Sequence, residues 1–288
     1  MIKKLSFSFL LSLIFFCGYS QNFPIAFQED MQLLNSYGKE IIESKTDELK
    51  EIANNHFKET LLLILKNDTS FEIDFSGIEK ISVLKENNLK IYNWTLPHTN
   101  GTFTYFAFLQ LKLINGTFKL VELIDKSDEI EKIETKTLSD KMWYGALYYT
   151  LIHEKKLGEN YYTVLGWDGN NLLTNKKIID VIVIDDNGNI KLGAPIFKME
   201  KKTQRRVIFE YGKEFSMSLK YDSKNKRIIF DYLVPASSKL KGVYEYYGPS
   251  LDTFDALVLT KNKWQHFSKI DVKLEKTKKD KDWNDPLK

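Results

Sequence analysis

Cysteine is almost missing from this 288-residue chain: Cys17 is the only one. It sits inside an apolar leader, so the sequence after residue 20 holds no thiol, can form no disulfide and offers no cysteine nucleophile. Proline is scarce, at six residues, and histidine scarcer, at four. No Pro/Gly/Ser-rich linker divides the chain. His56, His98, His153 and His266 are too dispersed to form a metal motif, and the i, i+3 pair His56 and Glu59 would need ligands from other helices.

A surplus of one charge is absent too. Lys plus Arg number 42 against 39 acidic residues, a net +3, which removes the electrostatic basis for a nucleic-acid partner. Beyond the leader no run is apolar enough to cross a membrane, so the mature chain is expected to have no transmembrane span. G-x-S-x-G, P-loop, G-x-G-x-x-G and H-E-x-x-H patterns do not occur. No catalytic residue, metal ligand or cofactor is therefore assigned.

The leader itself is informative. Lys3 and Lys4 precede an apolar stretch from Leu5 to Phe16 and the small-residue run Gly18-Tyr19-Ser20. That order of regions is a secretory signal, with cleavage before Gln21. The alternative is a lipoprotein signal that lipidates Cys17, against which Phe16 stands where a small residue is wanted. The expected location is periplasmic or secreted.

Past the leader, apolar residues at Phe27, Met31, Leu34, Ile41, Leu49, Ile52, Phe57, Leu61 and Leu65 lie mostly on one helical stripe. Helices are expected over about 27–43 and 46–65, with Ser44-Lys45-Thr46-Asp47 capping the second. After Asn67 the period changes to short β-branched and aromatic runs. Asn100-Gly101, Asn115-Gly116 and Asp186-Asn187-Gly188 are hairpin signals. Strands are expected at 103–113, 118–124, 178–185 and 215–221, the last in a three-stranded meander with 206–211 and 227–234. Runs 103–113 and 143–152 are apolar on both faces and must be sandwiched.

The expected fold is mainly β: antiparallel meanders forming a sandwich- or propeller-like body, with an N-terminal helical segment. The division is 1–20 signal peptide, 21–66 helical segment, 67–274 β-rich body and 275–288 charged flexible tail.

Several pieces share a wider resemblance: Leu89-Lys90-Ile91-Tyr92-Asn93-Trp94, Gly101-Thr102-Phe103-Thr104-Tyr105-Phe106, Trp143 to Tyr149, Leu165 to Asn171, Arg206 to Tyr211 and Tyr246-Tyr247-Gly248-Pro249. With these the chain resembles an uncharacterised family of exported β-rich proteins of Bacteroidota-type bacteria. The resemblance implies location and fold, and transfers no catalytic residue.

Aromatic density is the unusual feature. Trp143, Tyr144, Trp167, Tyr246 and Tyr247 are candidate rings for a glycan or peptide platform, and Asp168 beside Trp167 could hydrogen-bond a sugar hydroxyl. Core packing and turn chemistry are the plainer accounts of the same residues. Asp185-Asp186-Asn187-Gly188-Asn189 suggests calcium, but its register fits a hairpin turn better than a calcium loop. The carboxylates Glu210, Asp231, Glu245, Asp252 and Asp255 leave a hydrolase open, since a glycosidase needs only two such groups across a cleft. The functional expectation is an exported cell-envelope protein that binds or scaffolds, its partner an envelope protein or glycan. A periplasmic hydrolase acting on glycan or peptide is the alternative.

Overall fold

The structure, a computed structural model, describes residues 27–270. The signal segment, Cys17 and the charged tail lie outside the described residues.

Two helices come first, α1 (Gln28–Glu43) and α2 (Asp47–Leu65). The Thr46 hydroxyl accepts the Leu49 amide at 3.3 Å, and Asp47 and Glu48 fill the first turn of α2. Both features satisfy the positive end of the helix. Met31, Leu34 and Ile41 of α1 join Phe57, Leu61 and Ile64 of α2 in one buried stripe.

That stripe packs on an antiparallel sheet whose strands lie in chain order: β1 (Ser82–Glu86), β2 (Leu89–Pro97), β3 (Phe103–Lys112) and β4 (Phe118–Ile124). Side chains alternate along a strand. Tyr92, Trp94, Leu96 and Phe108 meet the helices. Leu89, Ile91, Ala107 and Leu109 face the other way, into a second core. Two covered faces explain why β3 reads as apolar throughout.

The second sheet holds β5 (Leu138–Ser139), β6 (Leu147–Ile152), β7 (Tyr161–Asp168), β8 (Thr174–Ile184) and β9 (Ile190–Leu192). The chain then leaves to form β10 (Phe197–Lys198) and β11 (Thr203–Gln204) of a third sheet, returns as β12 (Val207–Gly212) to pair with β8, and finally completes the third sheet. Its last strands are β13 (Leu219–Asp222), β14 (Arg227–Pro235), β15 (Tyr247–Thr260) and β16 (Lys263–Ile270). The order across that sheet is β11-β10-β16-β15-β14-β13, with β10 and β16 parallel and the other neighbours antiparallel.

A third core lies between Leu165, Ile179 and Val181 of the second sheet and Phe197, Ile228, Leu257 and Trp264 of the third. The protein is thus mainly β and sandwich-like, with the layers helix pair, first sheet, second sheet and third sheet. Faces stack on faces, which is the sandwich arrangement and not the edgewise ring of a propeller.

The hairpin dipeptides fall where tight turns need positive φ. Gly101, Gly116 and Gly188 have φ of 80°, 83° and 70°. Asn67, Asn100 and Asn115 each use the side-chain oxygen to accept both the amide and the hydroxyl of the Thr two residues on. Asp185 likewise accepts the amides of Asn187 and Asn189, so the Asp185–Asn189 run is a turn that caps its own backbone.

The expected meander of 206–211, 215–221 and 227–234 is corrected. β12 belongs to the second sheet, and only β13 and β14 form a hairpin. The strand expected from Phe215 is confined to Leu219–Asp222. Phe215 is 42% exposed and its amide bonds Gly212, while the Ser218 amide is taken by the Asp231 carboxylate at 2.6 Å. Side-chain capping there displaces ladder pairing.

Candidate functional site

A cleft of about 870 Å³ opens at one end of the interface between the first and second sheets. That volume lies toward the upper end of small-ligand sites, which run from about 300 to 1,000 Å³. Its walls come from the start of β3, the 125–134 segment after β4, the end of β7, the start of β8 and the middle of β12.

Strand register creates the wall on the second sheet. Asp168 of β7 stands opposite Lys176 of β8, and Lys176 opposite Glu210 of β12. The three charges, negative, positive and negative, form one row across three strands and share a face.

Asp168 is 6% exposed and sits where β7 turns into β8. One carboxylate oxygen accepts the Tyr105 hydroxyl at 2.9 Å and the Asn170 amide at 2.7 Å; the other accepts the Tyr144 hydroxyl at 3.0 Å. Tyr105 in turn accepts the Gly169 amide at 2.7 Å. Burial, reinforced by the Asp168 charge, pushes both phenols well above the ordinary tyrosine range. They remain neutral donors at any physiological pH.

Lys176 closes the chain of bonds by donating to the Tyr144 oxygen at 3.2 Å and the Asn170 side-chain oxygen at 2.7 Å. Thr174 donates to Glu210 at 2.8 Å, and the Asn170 side-chain nitrogen donates to the same Glu210 oxygen at 3.3 Å. Asn170 holds this position with φ of 45°, a left-handed conformation that asparagine tolerates.

On the opposite wall Asp125 organises the segment after β4. Its carboxylate accepts the Ser127 amide and hydroxyl and the amides of Tyr105 and Gly145. Gly145 is required by the close approach, because a Cβ there would lie 2.5 Å from the Asp125 carboxyl. The segment is tied down further by the Arg206 guanidinium, fully buried, which donates to the Ile133 carbonyl at 2.7 Å and to Asp180 at 2.6 Å.

Of the six candidate residues from sequence, the cleft gathers Tyr144 and Asp168. Trp143 is fully buried, its indole donating to the Tyr148 hydroxyl at 2.8 Å, and is a core residue. Trp143 and Tyr144, adjacent in sequence, both pack into the layer between the first two sheets. Trp167 projects from the other face of β7 and meets the Phe103 ring edge-on at 5.2 Å. Tyr246, 45% exposed, ends a short turn ahead of β15, and Tyr247, whose hydroxyl accepts the Gly242 amide, begins that strand; neither lines the cleft.

Among the carboxylates singled out in the sequence, Glu210 reaches the cleft. Asp255 instead pairs with His266 at 2.9 Å on the third sheet. Tyr105, Thr174, Lys176 and Phe103 were missed. Their common signal is cross-strand register, which one sequence does not display. No protein-family model, curated protein or solved structure matches this chain.

Proposed function

We propose that this chain is an exported, non-enzymatic protein of the cell envelope that acts by binding or scaffolding, and that the cleft seats its partner. The observation that carries the reading is the preorganised wall of Asp168, Tyr105, Tyr144, Lys176, Asn170 and Glu210, whose polar groups are fixed by one another before any ligand arrives. Fixing them in advance lowers the ordering cost of association. The leader and the family resemblance supply the location.

A hydrolase would need two carboxylates facing each other across the cleft, one of them placed to hand over a proton. Asp125 and Asp168 spend their oxygens on main-chain amides, a serine and phenols instead, which leaves Glu210, with one oxygen on Thr174 and Asn170, without either of them as a free partner. Binding therefore has the better support.

The test has two arms. Cell fractionation with intact-mass analysis is expected to find the chain in the envelope, starting at Gln21 and without acyl groups; acylation at Cys17 would establish the anchored alternative. Incubation with envelope oligosaccharides and peptides is expected to show retention without cleavage. Release of new reducing ends or amines by the wild type, abolished in Asp168→Asn, would replace binding with hydrolysis.

A further inference from the structure

We infer that the occupant of the cleft is a glycan of uncharged or amino-substituted sugar rings, one of them seated against Phe103; this rests on the binding reading above. Three features support it. First, a sugar hydroxyl both donates and accepts, so it needs the two kinds of group side by side. Lys176, with one of its three N–H donors left over after Tyr144 and Asn170, and Glu210 on the next strand supply them. Both intramolecular donors to Glu210 reach the same oxygen, and a carboxylate has about four lone-pair sites. Acceptor capacity remains for a ligand.

Second, Phe103 lines the cleft and stays partly exposed. Its ring is held edge-on by Trp167 at 5.2 Å, and the Lys213 ammonium sits 5.6 Å from its centroid. Lys213 is itself anchored on the carbonyls of Gly169 and Asn171. A fixed ring beside a polar wall suits a sugar, whose C–H face is apolar and whose rim is wet.

Third, the charge selects within the glycans. Lys126 is paired with Glu129 at 2.6 Å. The remaining lining charges are Asp125, Asp128, Glu134, Asp168 and Glu210 against Lys176, with Lys213 beside Phe103, so negative charge predominates. A uronic, sialic or phosphorylated sugar would meet like charge in a partly desolvated space.

Titration calorimetry with tetramers of N-acetylglucosamine, glucosamine and galacturonic acid tests this. Binding of at least one of the first two is expected, with affinity for galacturonate at least tenfold weaker. Phe103→Ala is expected to lower the affinity at least tenfold while leaving the melting temperature within a few degrees. Galacturonate binding as well as the others would overturn the charge argument and leave the binding site standing. No binding by any tetramer, with an envelope protein captured and lost in Glu210→Gln, would overturn the glycan and keep the cleft. Glycan binding unchanged in both Phe103→Ala and Glu210→Gln would overturn the inference together with the placement of the site.

Discussion

The Asn93 carboxamide clasps the backbone of Tyr148 from both sides. Its oxygen accepts the Tyr148 amide at 2.6 Å and its nitrogen donates to the Tyr148 carbonyl at 3.3 Å and to the Ser82 carbonyl at 3.0 Å. Asn93 is fully buried in β2, and Tyr148 lies where β6 is interrupted by a bulge. A side chain of the first sheet thus does the work of a strand partner for the second. Asn93→Ala is expected to destabilise the fold by about 1–3 kcal/mol, because the buried Tyr148 amide loses its acceptor while the Tyr148 carbonyl keeps the Ser82 hydroxyl at 3.1 Å. Urea denaturation monitored by tryptophan fluorescence measures it; a loss below about 0.5 kcal/mol would show that the clasp is incidental.

Asp180 and Arg206 form an ion pair with both side chains essentially unexposed. Arg206→Met alone is expected to cost about 3–5 kcal/mol, since it strands a buried carboxylate. Adding Asp180→Leu is expected to restore most of that loss. A double-mutant cycle by chemical denaturation reads the coupling, and additive losses would contradict it.

Asp222 gives the acid limb of stability a specific contributor. Burial works to raise its carboxyl, but hydrogen bonds from Asn225 and Arg227 outweigh it and hold the group at about 2, below the ordinary 3.8. As pH falls the unfolded chain takes up this proton first, so the stabilisation is present above about pH 4 and lost toward pH 2. After solvent screening it amounts to about 1 kcal/mol. Arg227→Gln should make the unfolding midpoint less steep between pH 4 and pH 2 than in the wild type.

Gly145→Ala tests the far wall of the cleft. The new methyl would collide with the Asp125 carboxyl, displacing the group that holds Ser127 and the Tyr105 amide. A loss of about 1–3 kcal/mol is expected, the usual range for overpacking. Ligand affinity should fall with it; unchanged binding would separate this wall from recognition.

The local grammar of the fold is legible in the sequence, and its global pairing is not. Asn100-Gly101, Asn115-Gly116 and Asp186-Asn187-Gly188 mark turns because few residues accept those angles. The helical stripe and the Thr46 cap are equally local. Pairing between distant strands leaves no such trace: the run 206–211 reads like a neighbour of 215–221, yet β12 pairs with β8. The cleft inherits this limit. Tyr144 and Asp168 stood out by composition, but Lys176 lies in the polar first part of β8, before the apolar run that marks the strand at 178, and its place between Asp168 and Glu210 depends on two registers.

The stack of layers follows the direction of synthesis closely: helices, then first sheet, then second, then third, with only β10 and β11 set down before β12 rejoins the plate below. Each plate hides one apolar face against what has already emerged and leaves the other bare for what comes next. Assembly can therefore proceed outward from the amino-terminal end, with a greasy surface waiting at every pause. A stop codon near residue 130 would strand the face formed by Leu89, Ile91, Ala107 and Leu109 without a cover, making such fragments strong candidates for aggregation.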